Sequence, residues 1–338
     1  MPPTRSAGAP RLTFGIYPGG TLGTNSRMSL GKSDDPALVK NFVETLRANR
    51  KLFLIRCYLH YNDSPPSLTG RSGTFPEDFL QYSGDGTQID LVLSYNSSSG
   101  DVEGWLDFVR TAVQSYGSEI AMLQVTEEPN LTISPVVDGS FPKVREALVR
   151  GVIAAKEESI RNGFGNLQIG FSAVPYFESD YGDEFFRAIG ALGGDRFARS
   201  LDYVGLDIFP DVFYPLPALG LPGDIRHFVE GSLRSFRGTS LPSAGIPATV
   251  PIHVAENGWP TGPGRSHEQQ AEAIESIIRT VNEYRGNYNV THYELFDLRD
   301  ADSSNPGIFS QFGILRDDYT PKPAFEVFRR LIEELSAD

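Results

Sequence analysis

Two apolar runs in this 338-residue chain end on glutamates. One reads Ile120-Ala-Met-Leu-Gln-Val-Thr-Glu-Glu-Pro-Asn130 and delivers Glu127 and Glu128; the other, Ile252-His-Val-Ala-Glu-Asn-Gly-Trp-Pro-Thr261, delivers Glu256. A carboxylate at the end of a buried strand can serve as proton donor, general base or nucleophile, or only as a helix cap or loop anchor. Two such groups facing one mouth favour the chemical role. Other chemistries lack their parts. Leu30-Gly-Lys-Ser33 mimics the end of a phosphate-binding loop, but the required first glycine falls on Ser26. The acidic stretch 297–305 lacks the glycine and distant glutamate of a calcium loop. The five histidines, at 60, 227, 253, 267 and 292, form no close ligand pair, so no metal site is expected. There is no Gly-x-Ser-x-Gly elbow for a serine nucleophile, and no strand ends on a lysine for a Schiff base.

The elements that must position these residues are read from the hydrophobic pattern. Eight short, mostly continuous apolar runs lie at 12–17, 52–59, 89–95, 120–126, 167–173, 203–209, 252–256 and 292–297, as strands covered on both faces require. Between them stand segments of helical period: 36–49, 102–116, 143–162 and 266–285, with shorter ones at 75–82, 183–192, 224–236 and 323–335. Eightfold strand–helix alternation predicts parallel strands with right-handed crossovers and, as the simplest closure, a (β/α)8 TIM barrel. Segments 19–35, 61–74, 130–141, 210–223 and 299–320, each following a strand, are long and rich in Gly, Pro, Ser and Asp. Function is therefore expected at the carboxyl ends of the strands. With no internal repeat and no shift in composition, one domain over 1–338 is expected, its barrel spanning about residues 12–336.

Composition narrows the partners. With 43 acidic against 30 basic residues and a formal charge of -13, most of the surface repels phosphates and anionic lipid, excluding nucleic acid and membrane as expected partners. No stretch is long and apolar enough for a membrane span, and the first eleven residues lack the core of a secretory signal, so a soluble, cytoplasmic protein is expected. The one cysteine, Cys57, sits inside an apolar run and reads as a buried, inert thiol.

The two glutamate segments resemble clan A of the retaining glycoside hydrolases, whose acid/base follows strand four and whose nucleophile follows strand seven. Ala-Glu-Asn-Gly-Trp-Pro-Thr is similar to the nucleophile signature of family 17 β-1,3-glucanases, and its Glu-Asn-Gly core to that of family 1 β-glucosidases. Glu-Glu-Pro-Asn resembles the clan's Asn-Glu-Pro with Glu128 in register, and the tail from Phe312 to Phe325 resembles the stretch that closes many of its barrels. The resemblance implies a retaining β-glycosidase acting by double displacement on a β-linked glucan-like oligo- or polysaccharide or a related glycoside, without a cofactor. Glu256 is then the nucleophile and Glu128 the acid/base, the two carboxyls about 5–5.5 Å apart.

The same resemblance assigns supporting residues and marks departures. Glu127 stands where the clan keeps an asparagine that binds the sugar 2-hydroxyl. Arg56 stands near the end of the second strand, where the clan keeps an arginine against its nucleophile; a structural ion pair is the alternative. The clan often supplies a tyrosine from strand six and a tryptophan from strand eight. This chain offers Phe209 and Phe296, with Tyr214 nearby. Trp259, Tyr17, Tyr61, Tyr176 and Tyr214 are candidates for stacking on sugar rings, or for packing. Asp207 either binds hydroxyls or caps a loop. A carbohydrate is the expected partner, and a sugar-binding barrel that has lost turnover is the second reading, suggested by Glu127 and the missing aromatics.

Overall fold

The computed structural model describes residues 11–19, 31–48, 52–63, 79–84, 86–132, 137–175, 181–213 and 224–337. Its strands are β1 (Thr13–Tyr17), β2 (Phe53–Asn62), β3 (Thr87–Asn96), β4 (Met122–Val125), β5 in two segments (Gln168–Gly170 and Ser172–Ala173), β6 (Val204–Ile208), β7 (Ile252–Asn257) and β8 (Val290–Phe296). All pairings between them are parallel. β1 pairs with both β2 and β8, while the first segment of β5 pairs with β4 and the second with β6. The break at Phe171 is the one interruption in an otherwise complete ring. The fold is a (β/α)8 barrel.

Helices α1 (Pro36–Arg47), α2 (Val102–Tyr116), α3 (Val144–Arg161), α4 (Tyr181–Ser200), α5 (Ile225–Ser235), α6 (His267–Tyr288) and α7 (Pro323–Leu335) pack around the ring. Their starts follow local chemistry. Asp35 Oδ1 accepts from the Ala37 and Leu38 N–H groups ahead of α1, and Ser266 with Gln269 forms a reciprocal capping box at α6. α7 opens with Pro323, whose missing donor is harmless in a first turn. Among the described residues no helix is long and apolar enough to cross a membrane.

Two elements differ from expectation. The helix expected at 75–82 is, over its described part, a single 3₁₀ turn from Phe79 to Tyr82 whose Phe79 and Tyr82 are buried. The helix expected to stop at 192 runs on to Ser200 through a kink at Gly194, where φ is 51°. Gly193-Gly194 has the composition of a terminator, but glycine tolerates the left-handed kink and the helix resumes.

The main core lies between sheet and helices: Phe14, Leu91, Leu123 and Val254 from the strands meet Trp105, Leu148, Ile277 and Phe328 from the helices. Inside the ring, Leu54, Met122 and Tyr203 form a small separate cluster, and a second aromatic cluster gathers Tyr17, Tyr58, Trp259 and Phe312. The lumen is not apolar throughout. Arg56, Asp90, Gln124, Asp207 and Glu294 are each at most 1% exposed. Gly15 makes room for this polar layer: a Cβ there would lie 2.8 Å from both Glu294 Cγ and Leu54 Cβ.

Candidate active site

Side chains on a strand alternate between faces, so the lumen receives every second residue. On β2 the inward set contains Arg56 and Tyr58. Arg56 is the hub of the site: its Nε donates to the Tyr58 hydroxyl at 2.8 Å, Nη1 to Asp90 Oδ2 at 2.8 Å, and Nη2 to Gln124 Oε1 at 3.0 Å and Glu256 Oε1 at 3.3 Å. The Tyr58 hydroxyl in turn donates to Glu256 Oε1. One oxygen of Glu256 thus accepts from a guanidinium and a phenol, both buried, which holds the carboxylate in place. Arg56 sits in the first half of β2, well before its end at Asn62, because the strand runs three residues past the apolar stretch.

The end of β4 is built differently. Thr126 and Glu128 both have left-handed backbone, with φ of 68° and 42°. This conformation is uncommon outside glycine and an outlier for a β-branched residue, so it must be held from outside. The holding groups are specific. The Thr126 N–H donates to the Leu93 carbonyl at 2.9 Å, that of Glu127 to Asp138 Oδ2 at 2.8 Å, and that of Glu128 to the Ser172 hydroxyl at 3.3 Å. Asn130 closes the turn with a reciprocal pair to the backbone of Val174. Asp138 is the anchor, since it also accepts from Ser94 Oγ at 2.6 Å and the Tyr95 N–H at 2.7 Å. Asp138→Ala strands three buried donors, so a loss of about 3 kcal/mol in unfolding free energy is expected, together with a fall in any activity that needs Glu128 in place. Denaturant melts and steady-state rates on one preparation check both, and Asp138→Asn should recover part of each.

The charge environments of the two glutamates are unequal. Glu128 makes no side-chain hydrogen bond among the described residues, and burial, then the charges of Asp207 and Glu256, hold its carboxyl well above the ordinary range. That direction favours the protonated form, the one a proton donor needs. Asp207 faces Glu256 in register across the β6–β7 pair. Among the described residues its two oxygens make no hydrogen bond of ordinary geometry, with the Ser172 hydroxyl and the Glu256 N–H alongside, and burial followed by the Glu256 charge pushes it up to about 8. Deeper in the lumen, Glu294 is pushed up by burial and by Asp90.

The sequence-derived candidates divide cleanly. Glu127, Glu128, Arg56, Asp207 and Glu256 come together in one electrostatic group. Tyr17 is 4% exposed, stacked on Phe296 with ring centroids 5.2 Å apart and edge-on to Tyr58 at 5.5 Å, so it lies in the aromatic packing beside Glu256. Phe296 lines the same cluster, and so does Trp259, whose ring carries the Arg265 guanidinium 4.6 Å from its centroid and whose buried indole N–H has no acceptor among the described residues. Tyr61 is a correction. It sits at odd parity from Arg56 on β2, points outward, hydrogen-bonds Asp101 at 2.8 Å and packs on Tyr95, Trp105 and Phe108. Tyr176 and Tyr214 lie outside the described residues.

Sequence reasoning missed Tyr58, Asp90, Gln124, Asp138 and Glu294. Tyr58 was within reach: two residues after an inward arginine, it must face the same lumen. Tyr58→Phe removes one hydrogen bond to a charged group, worth about 1.5–3 kcal/mol, so a loss of about 10- to 100-fold in kcat is expected with little change in KM. Steady-state kinetics on one activated substrate decides this.

Among the described residues no group of three or more His, Cys, Asp or Glu is arranged to hold a metal ion. No protein-family model matches the chain, and none of the curated proteins matches it in sequence. Solved structures do match in fold. A plant β-glucan endohydrolase superposes with a TM-score of 0.63 at 12% identity, covering 91% of this chain and 98% of that one. A family 1 β-glucosidase from Thermotoga maritima gives 0.62 at 11%, covering 97% and 99%. A β-glucuronidase from an uncultured Clostridium sp. gives 0.57 at 15%, covering 97% of this chain and 50% of that one, so the chain spans half the length of this longer neighbour. At such identities the likeness is one of fold.

Proposed function

We propose that the protein is a retaining β-glycosidase of clan A type acting on a β-linked glucan-like oligo- or polysaccharide or a related glycoside. One observation carries the reading: of two strand-end glutamates that act on one another, Glu256 accepts hydrogen bonds from Arg56 and Tyr58, whereas the Glu128 carboxyl has no such donor among the described residues and is pushed up by burial and like charge. That inequality is what a nucleophile and a general acid require. The fold neighbours, which include a β-glucosidase and a β-glucan endohydrolase, lean the same way.

In the first step Glu256 attacks the anomeric carbon while the bond from that carbon to the leaving oxygen breaks and Glu128 gives its proton to that oxygen. Forming the ester neutralises Glu256, and the charge that opposed ionisation of Glu128 disappears. Glu128 is then a carboxylate able to take a proton from the water that attacks the same carbon, and Glu256 leaves as carboxylate. Two inversions give net retention. The test is to follow hydrolysis of an aryl β-glycoside by NMR at early times. The β-anomer of the free sugar should appear before mutarotation, and the α-anomer as first product would sink the reading.

The second reading, a carbohydrate-binding barrel without turnover, draws on Phe209 and Phe296 at positions where the clan keeps polar aromatics. Tyr58 weakens it, because the phenol is present on β2 and is bonded to Glu256. Binding of oligosaccharide by calorimetry with no hydrolysis of a broad panel would favour it.

A further inference from the structure

Phenylalanines from two segments meet at the mouth of the barrel. Phe209 and Phe213 follow β6; Phe296 closes β8, and Phe309 and Phe312 lie beyond it. Ring centroids are 5.5 Å apart for Phe209 and Phe213, 5.6 Å for Phe213 and Phe309, 5.7 Å for Phe209 and Phe312, and 6.0 Å for Phe209 and Phe296. The group does not close on itself. Phe312 is buried and Phe209, Phe296 and Phe309 are half-buried, but Phe213 is 44% exposed, the one phenylalanine among the exposed large apolar side chains of the described residues. A contiguous apolar face left in water marks a binding surface.

This face is continuous with the nucleophile. Phe296 stacks on Tyr17, Tyr17 meets Tyr58 edge-on, and the Tyr58 hydroxyl donates to Glu256. Below that level Arg56, Asp90, Gln124 and Glu294 fill the lumen, so a substrate enters from the mouth and its reacting sugar is the inner part. Exposure rises outward from Tyr17 at 4% to Phe213. Going round the ring from Glu256 on β7 to Glu128 after β4, the shorter way passes β6 and β5. Phe209 and Phe213, which follow β6, thus stand on the side where Glu128 meets the leaving oxygen. The chemistry of the face is restrictive. A phenyl ring has no hydrogen-bonding atom to offer, so a second sugar laid on it loses water from its hydroxyls and gains nothing in return. Phe209 lies 89° from Phe296, 80° from Phe312 and 67° from Phe213, which makes a folded apolar surface and not the flat platform that suits a pyranose ring.

We infer that the group released from the sugar is apolar, an aryl or alkyl aglycone seated on Phe209, Phe213 and Phe309, so that β-glycosides of hydrophobic alcohols and phenols are the substrate class. The inference rests on the glycosidase reading and narrows it, selecting such glycosides over glucan chains. Phe213 and Phe309 are then specificity-determining residues.

The test measures kcat/KM on ethyl, butyl, hexyl and octyl β-D-glucosides, each below its micelle-forming concentration, beside cellobiose. Along this series the leaving alcohol hardly changes in acidity, so the trend reads contact with the face. For the wild type each added methylene should raise kcat/KM by about two- to fourfold, the yield of burying a CH₂ in part or whole, and the hexyl glucoside should exceed cellobiose by about tenfold or more. Phe213→Ser should lower the octyl-to-ethyl ratio by about tenfold or more, whereas Phe213→Leu, still apolar, should keep most of it. Phe213 is exposed, so its replacement does not open the core. Phe309→Ser should act in the same direction as Phe213→Ser. A flat wild-type series, or a wild type that prefers cellobiose, overturns the inference while leaving the glycosidase reading intact. If none of the glucosides is hydrolysed, calorimetry decides the face. Octyl glucoside that binds the wild type more tightly than ethyl glucoside, and loses that margin in Phe213→Ser, supports the inference; equal binding overturns it. A panel of 4-nitrophenyl β-glycosides left unhydrolysed as well would mean that the glycosidase reading has failed. Sedimentation tests the other occupant: a wild-type dimer that Phe213→Ser converts to a monomer assigns the face to a second copy of the chain and overturns the inference.

Discussion

Glu256→Ala is expected to lower kcat on an activated aryl β-glycoside by at least about 10⁴-fold, the scale on which nucleophile deletions act when the step they begin has no substitute. The fold should survive the change. Arg56 keeps Asp90 and Gln124 as partners, so removal of the Glu256 carboxylate does not leave an unpaired buried cation. What remains is a small space lined by the Arg56 guanidinium and the Tyr58 hydroxyl, two donors formerly aimed at Glu256 Oε1. Azide is a small anion suited to that space. Added to this variant it should attack the anomeric carbon once and give the inverted glycosyl azide, restoring part of the rate. Thin-layer chromatography and NMR of the product identify the configuration. A variant within about tenfold of wild type, with no azide product, would show that Glu256 does not form the covalent bond.

The barrel was legible because a strand buried on both faces must be apolar along its whole length, and eight such runs leave few architectures. Residues 102–116 and 323–335 became helices over the expected range, since the amphipathic period agrees with an Asp101 cap ahead of the first and with Pro323 in the first turn of the second. The break at Phe171 was not legible: 167–173 reads as one mostly apolar run, and only the change of partner from β4 to β6 splits it. The site divides on similar grounds. Glutamates that end apolar runs announce themselves. Asp90, Gln124 and Glu294 lie inside such runs, where a polar residue reads as a defect until the lumen of a closed barrel is known to be polar. Parity separates Tyr58 from Tyr61, which share one strand and one residue type but face opposite sides of the sheet. Asp138 carries no sequence signal, because its role depends on the backbone donors of Tyr95 and Glu127 that the fold brings to it.

Glu128→Ala is the complementary experiment, and its outcome depends on the leaving group. Loss of a general acid typically lowers rates by about 10²- to 10⁴-fold when the departing oxygen needs a proton. An activated phenol needs none, so Glu256 should still be glycosylated at a useful rate, whereas the second step loses its base. A burst of phenol followed by slow turnover is the expected signature, with the glycosyl-enzyme visible by mass spectrometry as an adduct on Glu256. Azide requires no base, and in this variant it should release the sugar with retained configuration, opposite to the Glu256→Ala product. The pH profile gives an independent readout. Burial, and the charges of Asp207 and Glu256, raise Glu128, so the wild-type acid stays protonated past the ordinary carboxyl range and kcat/KM falls only as pH rises through that raised value. In Glu128→Ala this alkaline limb should vanish for activated substrates. If the limb persists unchanged, or if the azide product is inverted, the proton donor is another group, and Asp207, the strongest charged neighbour of Glu128, is the first to examine.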